Sequence, residues 1–346
     1  MASFLLRRAA WMVVMFLAVT VVTFIIFFVI PSEDDQASLG RAGGDVDVRT
    51  TVQIDGPLYE EYAEFLRKIV TQGSLGDSWV LRGQDVNDIL VRAAPVTISL
   101  VVGGALLWML IAIPSGLLAA LRPRSAFSRL TTVFVLIGIS AHPLWIGLVL
   151  SYLAGARLGL MPTGGYCEVF SPGLGCGGPL QWAYHLVLPW FTFALMYAAI
   201  YMRMIRASTL ETLNEDYVRT ARAKGAPEWL VIRSHVLRNA MLPVVTMLGM
   251  DIAVSLGATL FVETAYGLPG LGRLFATSLA RRDFPVLLGI TIYTTTVVIV
   301  VNFLIDVLYG VIDPRARADR RSEAALAREG RRKRLPESAT QPASAT

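Results

Sequence analysis

The residues able to do chemistry in this sequence are few and unevenly placed. Lysine occurs only at Lys68, Lys224 and Lys333, none after a glycine, so the chain has no Gly-Lys-Ser or Gly-Lys-Thr loop to cradle nucleotide phosphates. Asp251 stands about ten residues into an apolar run, which at about 1.5 Å per residue puts it roughly 15 Å deep, near a bilayer midplane. A carboxylate at that depth is costly unless it faces water or a partner. It marks either a solute pathway, where it would meet an ammonium or a basic side chain, or a hydrogen-bonded contact between helices. Asn302 and Asp306, four residues apart on a later run, share a face, and interhelical pairing with Arg203 or Arg206 is the simpler account of them. His142 precedes Pro143 inside another run; the proline reads as a kink, and His142 is carried with Asp251 as a candidate pathway residue. Cys167 and Cys176 fall in one glycine-rich stretch, where an oxidising compartment would let them pair and a reducing one would leave two thiols. Read as two cysteines without nearby histidines they make a poor metal site, and none is expected.

The elements that position these residues follow from composition. Of 346 residues, 54% are hydrophobic and only 16% charged, an excess that calls for a bilayer. The apolar residues gather in six runs long enough to cross about 30 Å of hydrocarbon: 9–30, 94–121, 130–155, 182–204, 241–265 and 286–310. The first outlasts the apolar region of a signal peptide and ends in Pro31-Ser32-Glu33-Asp34, so it reads as a retained span after a short cytoplasmic segment, 1–8. The expected fold is therefore all-α and polytopic, with six transmembrane helices. Lys and Arg accumulate on the cytoplasmic side of short loops. Of the 31 basic residues, 21 fall on one side, with both termini, which are therefore expected to be cytoplasmic. The opposite side holds 31–93, where acids outnumber bases by twelve to six, a loop around 156–181 and a short loop at 266–285. Within 31–93 the spacing predicts an amphipathic helix over 57–66, a turn over 75–79 and a second amphipathic stretch over 86–91. The net charge of +5 and the run Arg331-Arg332-Lys333-Arg334 read as membrane-side positive charge rather than a nucleic-acid patch. The tail 318–346, without an apolar period, is expected to be disordered.

One cytoplasmic stretch, 206–240, is not composed like a linker. Leu210, Leu213, Tyr217, Val218 and Ala221 recur at helical spacing, Asn214 or Asp216 can cap a helix start, and Gly225-Ala226-Pro227 stops it. This predicts a helix of about two turns over 215–224, with small residues Ala221 and Ala223 free to seat in a cleft and Arg219, Arg222 and Lys224 free to pair with acids there. Two readings remain open on physics alone: a handle that receives force from a soluble motor, or an interfacial helix whose basic face binds lipid headgroups.

The residues themselves carry a resemblance. Asp216-Tyr217-Val218-Arg219-Thr220-Ala221-Arg222-Ala223-Lys224-Gly225, followed by His235-Val236-Leu237-Arg238-Asn239-Ala240-Met241-Leu242-Pro243, is similar to the coupling-loop signature of dipeptide and oligopeptide permeases of ATP-binding-cassette (ABC) transporters. Leu75-Gly76-Asp77-Ser78, the turn Glu263-Thr264-Ala265-Tyr266-Gly267-Leu268-Pro269-Gly270-Leu271-Gly272, Arg282-Asp283-Phe284-Pro285-Val286 and Asp313-Pro314-Arg315 extend it over roughly 4–317. Pro31-Ser32-Glu33-Asp34 departs from the family's Pro-Gly-Asp-Pro turn, and Arg219-Thr220-Ala221 stands where the wider class has Glu-Ala-Ala. The resemblance implies a type I importer permease fold with its core over 94–317, in the bacterial plasma membrane, importing di- or oligopeptides. It also implies a second homologous permease, two ATPase subunits that bind the ATP and magnesium, and an extracytoplasmic solute-binding protein. Asp216, Tyr217, Arg219, Thr220, Ala221, Arg222, Lys224 and Gly225 would contact an ATPase, and Glu263, Pro269, Gly270 and Gly272 would form an outer gate. A permease for nickel or another small solute would share this coupling loop; a secondary transporter would not need it. An intramembrane protease would need a Ser–His pair or two aspartates at one depth, and Asp251 and Asp306 differ in depth.

Overall fold

The computed structural model describes residues 2–26, 58–81, 83–169 and 176–312. Among them there is no strand beyond an isolated antiparallel bridge between Asp77 and Asp85. In chain order the helices are α1 (Ala2–Phe24), α2 (Leu58–Gln72), α3 (Val86–Leu121), α4 (Ala126–Ser140), α5 (Pro143–Leu150), α6 (Pro179–Leu213), α7 (Asp216–Ala223), α8 (Glu228–Val231), α9 (Arg238–Ala240), α10 (Leu242–Tyr266), α11 (Leu271–Arg281) and α12 (Phe284–Ile312). Two π-helical stretches, Ser151–Arg157 and Ile232–Leu237, extend α5 and join α8 to α9. Residues from Asn302 onward separate from the bundle as a second unit, which contains Asn302 and Asp306. The segment 31–57, the tail 318–346 and the Asp313-Pro314-Arg315 mark lie outside the described residues.

Five helices, α1, α3, α6, α10 and α12, are long and apolar enough to span a bilayer, and the broken pair α4 and α5 makes a sixth. That pair corrects the expectation of one kinked span. The two halves meet at 108° because Ala141 and His142 are both extended, with ψ of 131° and 136°. A residue before proline is pushed out of the helical region, and here the break takes two residues rather than one.

The bundle is built on α3 against α6. On α3, Leu100, Gly104, Trp108, Ala112 and Gly116 recur every four residues and are buried, while Leu106 and Leu110 on the opposite face are about 70% exposed. In a bilayer that exposed face meets lipid or another subunit, and helix association rests on close packing rather than on apolar burial. Gly116 supplies the closeness: a Cβ there would lie 2.9 Å from the Ile205 side chain and 3.0 Å from the Met202 carbonyl. Trp108 fills the centre, stacked on Tyr197 at 4.5 Å with Phe193 and Tyr201 each 6.0 Å away. Helix α6 runs 35 residues, its hydrogen-bond ladder interrupted only where Pro189 lacks an N–H.

Two further elements depart from expectation. Helix α2 runs past the expected 57–66 to Gln72 and packs on α1, with Phe24 5.6 Å from Tyr62 and 5.7 Å from Phe65. The segment 266–285, expected as a short loop, contains the 11-residue helix α11. Its Leu271, Leu274, Phe275 and Ser278 repeat at i, i+3, i+4 and i+7, a period that its polar neighbours Arg273 and Thr277 obscure. With Val86 and Leu90 of α3 and Val286 and Ile290 of α12, Leu271 forms a second apolar cluster at one end of the bundle.

Candidate functional site

The candidate residues fall at two ends of the bundle and in its middle. At one end α6 stops at Asn214, and the chain turns straight into α7. The expected helix over 215–224 is present as Asp216–Ala223, but its caps differ. Glu215 holds the N-cap position without a side-chain bond, and Asn214 instead closes α6, its Nδ2 donating to the Leu210 carbonyl at 2.9 Å. Val218 is fully buried against Val231 and Val236, with Ala221 and Ala226 packed alongside. Ala221 therefore faces the chain's own body, not a cleft elsewhere, because it lies one turn beyond Val218 on the same face. The outward face carries Tyr217, Arg219, Thr220, Ala223 and Lys224.

Arg222 is not free for a distant acid either. Its guanidinium grips Glu228 with two bonds, Nη2 to Oε1 at 2.7 Å and Nε to Oε2 at 3.2 Å, and this holds the Glu228 carboxyl below the usual carboxylate range. Arg219 reaches Asp216 only at 3.8 Å, with both side chains exposed. Asn239 Nδ2 donates to the Tyr217 hydroxyl at 2.8 Å, which ties α7 to the return segment. Gly225 has φ +77°, a left-handed conformation that glycine alone adopts without strain, so the turn after α7 depends on it. The result is a small folded handle at the foot of α6, with a polar outward face.

At the other end, two distant pairs hold the connections in place. Glu263 on α10 is fully buried and accepts from the Thr97 hydroxyl of α3 at 2.6 Å and from the Arg273 N–H of α11 at 2.9 Å. Thr97 in turn accepts from the Leu271 N–H at 2.8 Å. A carboxylate at the first turn of a helix satisfies its orphan donors and its dipole, so Glu263 works as a cap for α11 supplied from another helix. Gly270 and Gly272 make room for it: a Cβ at Gly270 would strike the Glu263 carboxylate, and one at Gly272 would lie 2.5 Å from the Leu260 Cα. Pro269 sits exposed on the turn. The second pair joins motifs far apart in sequence. Asp283, 3% exposed, accepts from the Ser78 hydroxyl at 2.5 Å and from the Trp79 N–H at 3.2 Å, and Trp79 meets Phe284 edge-on at 5.7 Å.

In the middle, Asp251 is half-buried on α10, and its Oδ2 accepts from the buried Tyr201 hydroxyl of α6 at 2.7 Å. His142 is exposed at the break, where its Nδ1 accepts from the Leu144 N–H at 3.3 Å and its ring meets Phe261 edge-on at 4.7 Å. The structure thus gives His142 a capping role in the break and does not bring it to Asp251 by any contact. A cavity of about 500 Å³ lies between α1, α3, α10, α11 and α12, lined by apolar side chains with Thr97, Thr291, Thr294 and Thr295 among them.

Cys167 and Cys176 are joined as a disulfide, their Cα atoms 5.4 Å apart. The pair is not without a histidine. His185, in the second turn of α6, lies with its Nδ1 3.3 Å from the Cys167 sulfur. Sequence reading also missed Thr97, Tyr201, Glu228 and Asn239 as partners. Only Glu228 had a local signal, an acid six residues after Arg222 across a Gly-Ala-Pro stop.

Spanning helices with a folded handle at one end and a short helix capped from the bundle at the other are the architecture of a multi-pass membrane protein. Residues 112–318 match the model of the family described as binding-protein-dependent transport system inner membrane component, and residues 1–101 match that family's N-terminal model. The chain belongs to this family and is a multi-pass protein of the bacterial plasma membrane. It is 34% identical over 318 residues to an oligopeptide transport system permease protein of Bacillus subtilis, covering 91% of this chain and 99% of the relative. It is 32% identical over 338 residues to a dipeptide transport system permease protein of Escherichia coli and, over the same length, to a di/tripeptide transport system permease protein of Pseudomonas aeruginosa. Each of those alignments covers 92% of this chain and at least 99% of the relative.

Proposed function

We propose that this chain is one of two permease subunits of an ATP-driven importer of di- or oligopeptides. The observation that carries the reading is α7: a short helix folded on its own apolar core, set directly at the end of α6, with Tyr217, Arg219, Thr220 and Lys224 turned outward. Such a handle is what a membrane domain needs to receive force, and without a Gly-Lys-Ser or Gly-Lys-Thr loop the force must come from other chains. In this reading α7 lies in the cytoplasm against one of two ATPases that bind Mg-ATP, and the α11 end faces out toward a solute-binding protein. A second homologous permease completes the pathway. The peptide substrate is supported by the names of the relatives. ATP binding closes the ATPases, α7 carries the movement into α6 and α10, and the pathway opens outward; hydrolysis resets it. Asp251, whose second carboxylate oxygen has no protein partner among the described residues, receives the ammonium or a basic side chain of the passing peptide.

The test is uptake of radiolabelled dipeptides and oligopeptides, with nickel as a comparison solute, in cells carrying the wild-type chain or Gly225→Pro. Proline cannot adopt the φ of +77° found at Gly225, so the variant should misplace α7. Loss of uptake in a variant that still co-purifies with its partner subunits supports the coupling role. Normal uptake by that variant sinks it, and a wild-type chain that moves nickel but no peptide sinks the substrate.

A further inference from the structure

The disulfide end of the molecule holds a set of groups that transport does not use. Cys167, Cys176 and His185 present their sulfur and nitrogen atoms all within 4.8 Å of one another. Cys167 is 1% exposed, and the other two are half-buried. One ring nitrogen of the histidine is tied back to its own helix and lies 3.3 Å from the Cys167 sulfur, which leaves the other for a ligand. Its Nδ1 lies 2.9 Å from the Gln181 carbonyl, which can only accept, so the proton sits on Nδ1 and the neutral ring keeps its lone pair on Nε2. Ligating histidines characteristically donate their other N–H to a carbonyl or carboxylate, which fixes tautomer and ring direction. Nε2 lies 3.8 Å from the Cys167 sulfur. A tetrahedral zinc with Zn–S of about 2.3 Å and Zn–N of about 2.0–2.1 Å sets its ligand atoms about 3.5–3.8 Å apart, so small side-chain shifts suffice once the sulfurs are unbonded.

We propose that Cys167, Cys176 and His185 form a redox-gated site for one zinc-class cation, closed as the disulfide and opened by reduction. A dithiol reductant gives two electrons and two protons to the S–S bond, which breaks to two thiols while the reductant becomes its own disulfide. Zinc(II) then displaces the two thiol protons and is held by two thiolates and His185 Nε2, with the fourth tetrahedral position left to water. The ligands come from the loop and from the first turns of α6. The cation would therefore replace the disulfide as the clamp between them, in the same compartment that the proposed orientation assigns to the α11 end.

The experiment uses the full-length chain in lipid nanodiscs, fully oxidised or reduced with a dithiol, and titrates zinc against a chromophoric chelator, with cobalt(II) as a spectroscopic stand-in. The expected result is one zinc per reduced chain, none per oxidised chain, and a near-ultraviolet thiolate-to-cobalt band only after reduction. His185→Ala, which keeps the disulfide and so reports folding independently through non-reducing mobility, removes a direct ligand and should weaken zinc by at least the roughly 10-fold that losing an outer-shell partner costs. Two results overturn the proposal. Reduced wild type binding zinc no more tightly than the Cys167→Ser, Cys176→Ser double variant removes the site, and unchanged affinity in His185→Ala removes the histidine from it.

Discussion

Replacing Glu263 with alanine should release α11 from the bundle without disturbing α7. The fully buried carboxylate accepts from Thr97 Oγ1 at 2.6 Å and from Arg273 N at 2.9 Å. Hydrogen bonds to a charged group contribute about 1.5–3 kcal/mol each, so two give about 3–6 kcal/mol. Removing the side chain also relieves the cost of burying a charge, which pulls the net loss toward the lower end, about 3 kcal/mol. At 1.4 kcal/mol per factor of ten, local opening of the α11 start should become roughly 100-fold more frequent. Hydrogen–deuterium exchange of the full-length chain in nanodiscs reads this directly. Amides of 271–275 should exchange about 100-fold faster in Glu263→Ala, while those of 216–223 stay at the wild-type rate. Thr97→Val, which leaves the carboxylate one donor and removes the acceptor of the Leu271 N–H, should fall between. Exchange of 271–275 in Glu263→Ala within about threefold of wild type would mean that the carboxylate does not hold the helix.

Ser78→Ala removes the hydroxyl that caps a buried Asp283 and should cost about 1.5–3 kcal/mol, read as faster proteolysis of 75–81 in outside-facing vesicles. Tyr201→Phe takes the donor from Asp251 and should lower thermal stability by an amount of the same order, about 1.5–3 kcal/mol. Asp251→Asn should cut peptide uptake about tenfold; unchanged uptake of both lysine-bearing and neutral peptides would remove Asp251 from the pathway. The Arg222–Glu228 pair makes a pH prediction. Because the folded Glu228 carboxyl titrates below its ordinary value of about 4.3, the pair's contribution is present above that pH and is lost as pH falls through the lowered value. Both side chains are exposed, so the effect is small and screened by salt. Trp229 fluorescence polarisation should fall only as pH drops below the ordinary carboxylate range, at low ionic strength, in wild type and stay flat in Glu228→Gln.

The parts that could be read from the sequence are those with local causes. Val218 and Ala221 on one face, followed by a glycine that must take positive φ, specify α7 to within a residue or so at each end. Pro143 likewise announces a break, but not its 108° angle, which depends on a second extended residue, Ala141, that carries no signal of its own. Helix α11 was hidden because Gly267-Leu268-Pro269-Gly270 reads as loop, and the apolar period begins only after it. The pairings are the least legible. Ser78 and Asp283 are separated by 205 positions and Thr97 and Glu263 by 166, so only the folded bundle decides that they meet. His185 stands nine residues after Cys176, yet its approach to Cys167 depends on where the second turn of α6 falls.

The proline within α6 has a mechanical consequence. From Pro189 to Leu213 the helix continues unbroken for about 36 Å at 1.5 Å per residue, and the missing N–H makes its upper joint the compliant one. A swing of about 5° about that pivot carries the Leu213 end, and α7 with it, by roughly 3 Å. The rod is braced along its length, since Phe193, Tyr197 and Tyr201 follow one another every four residues against Trp108. Just beyond the pivot, Trp190 Nε1 donates to the Ser99 carbonyl at 2.9 Å. In the proposed coupling, rotation at the joint would drag α3 along with the rod, against the edge-on contact of Trp182 with Trp190 that spans the pivot at 5.2 Å.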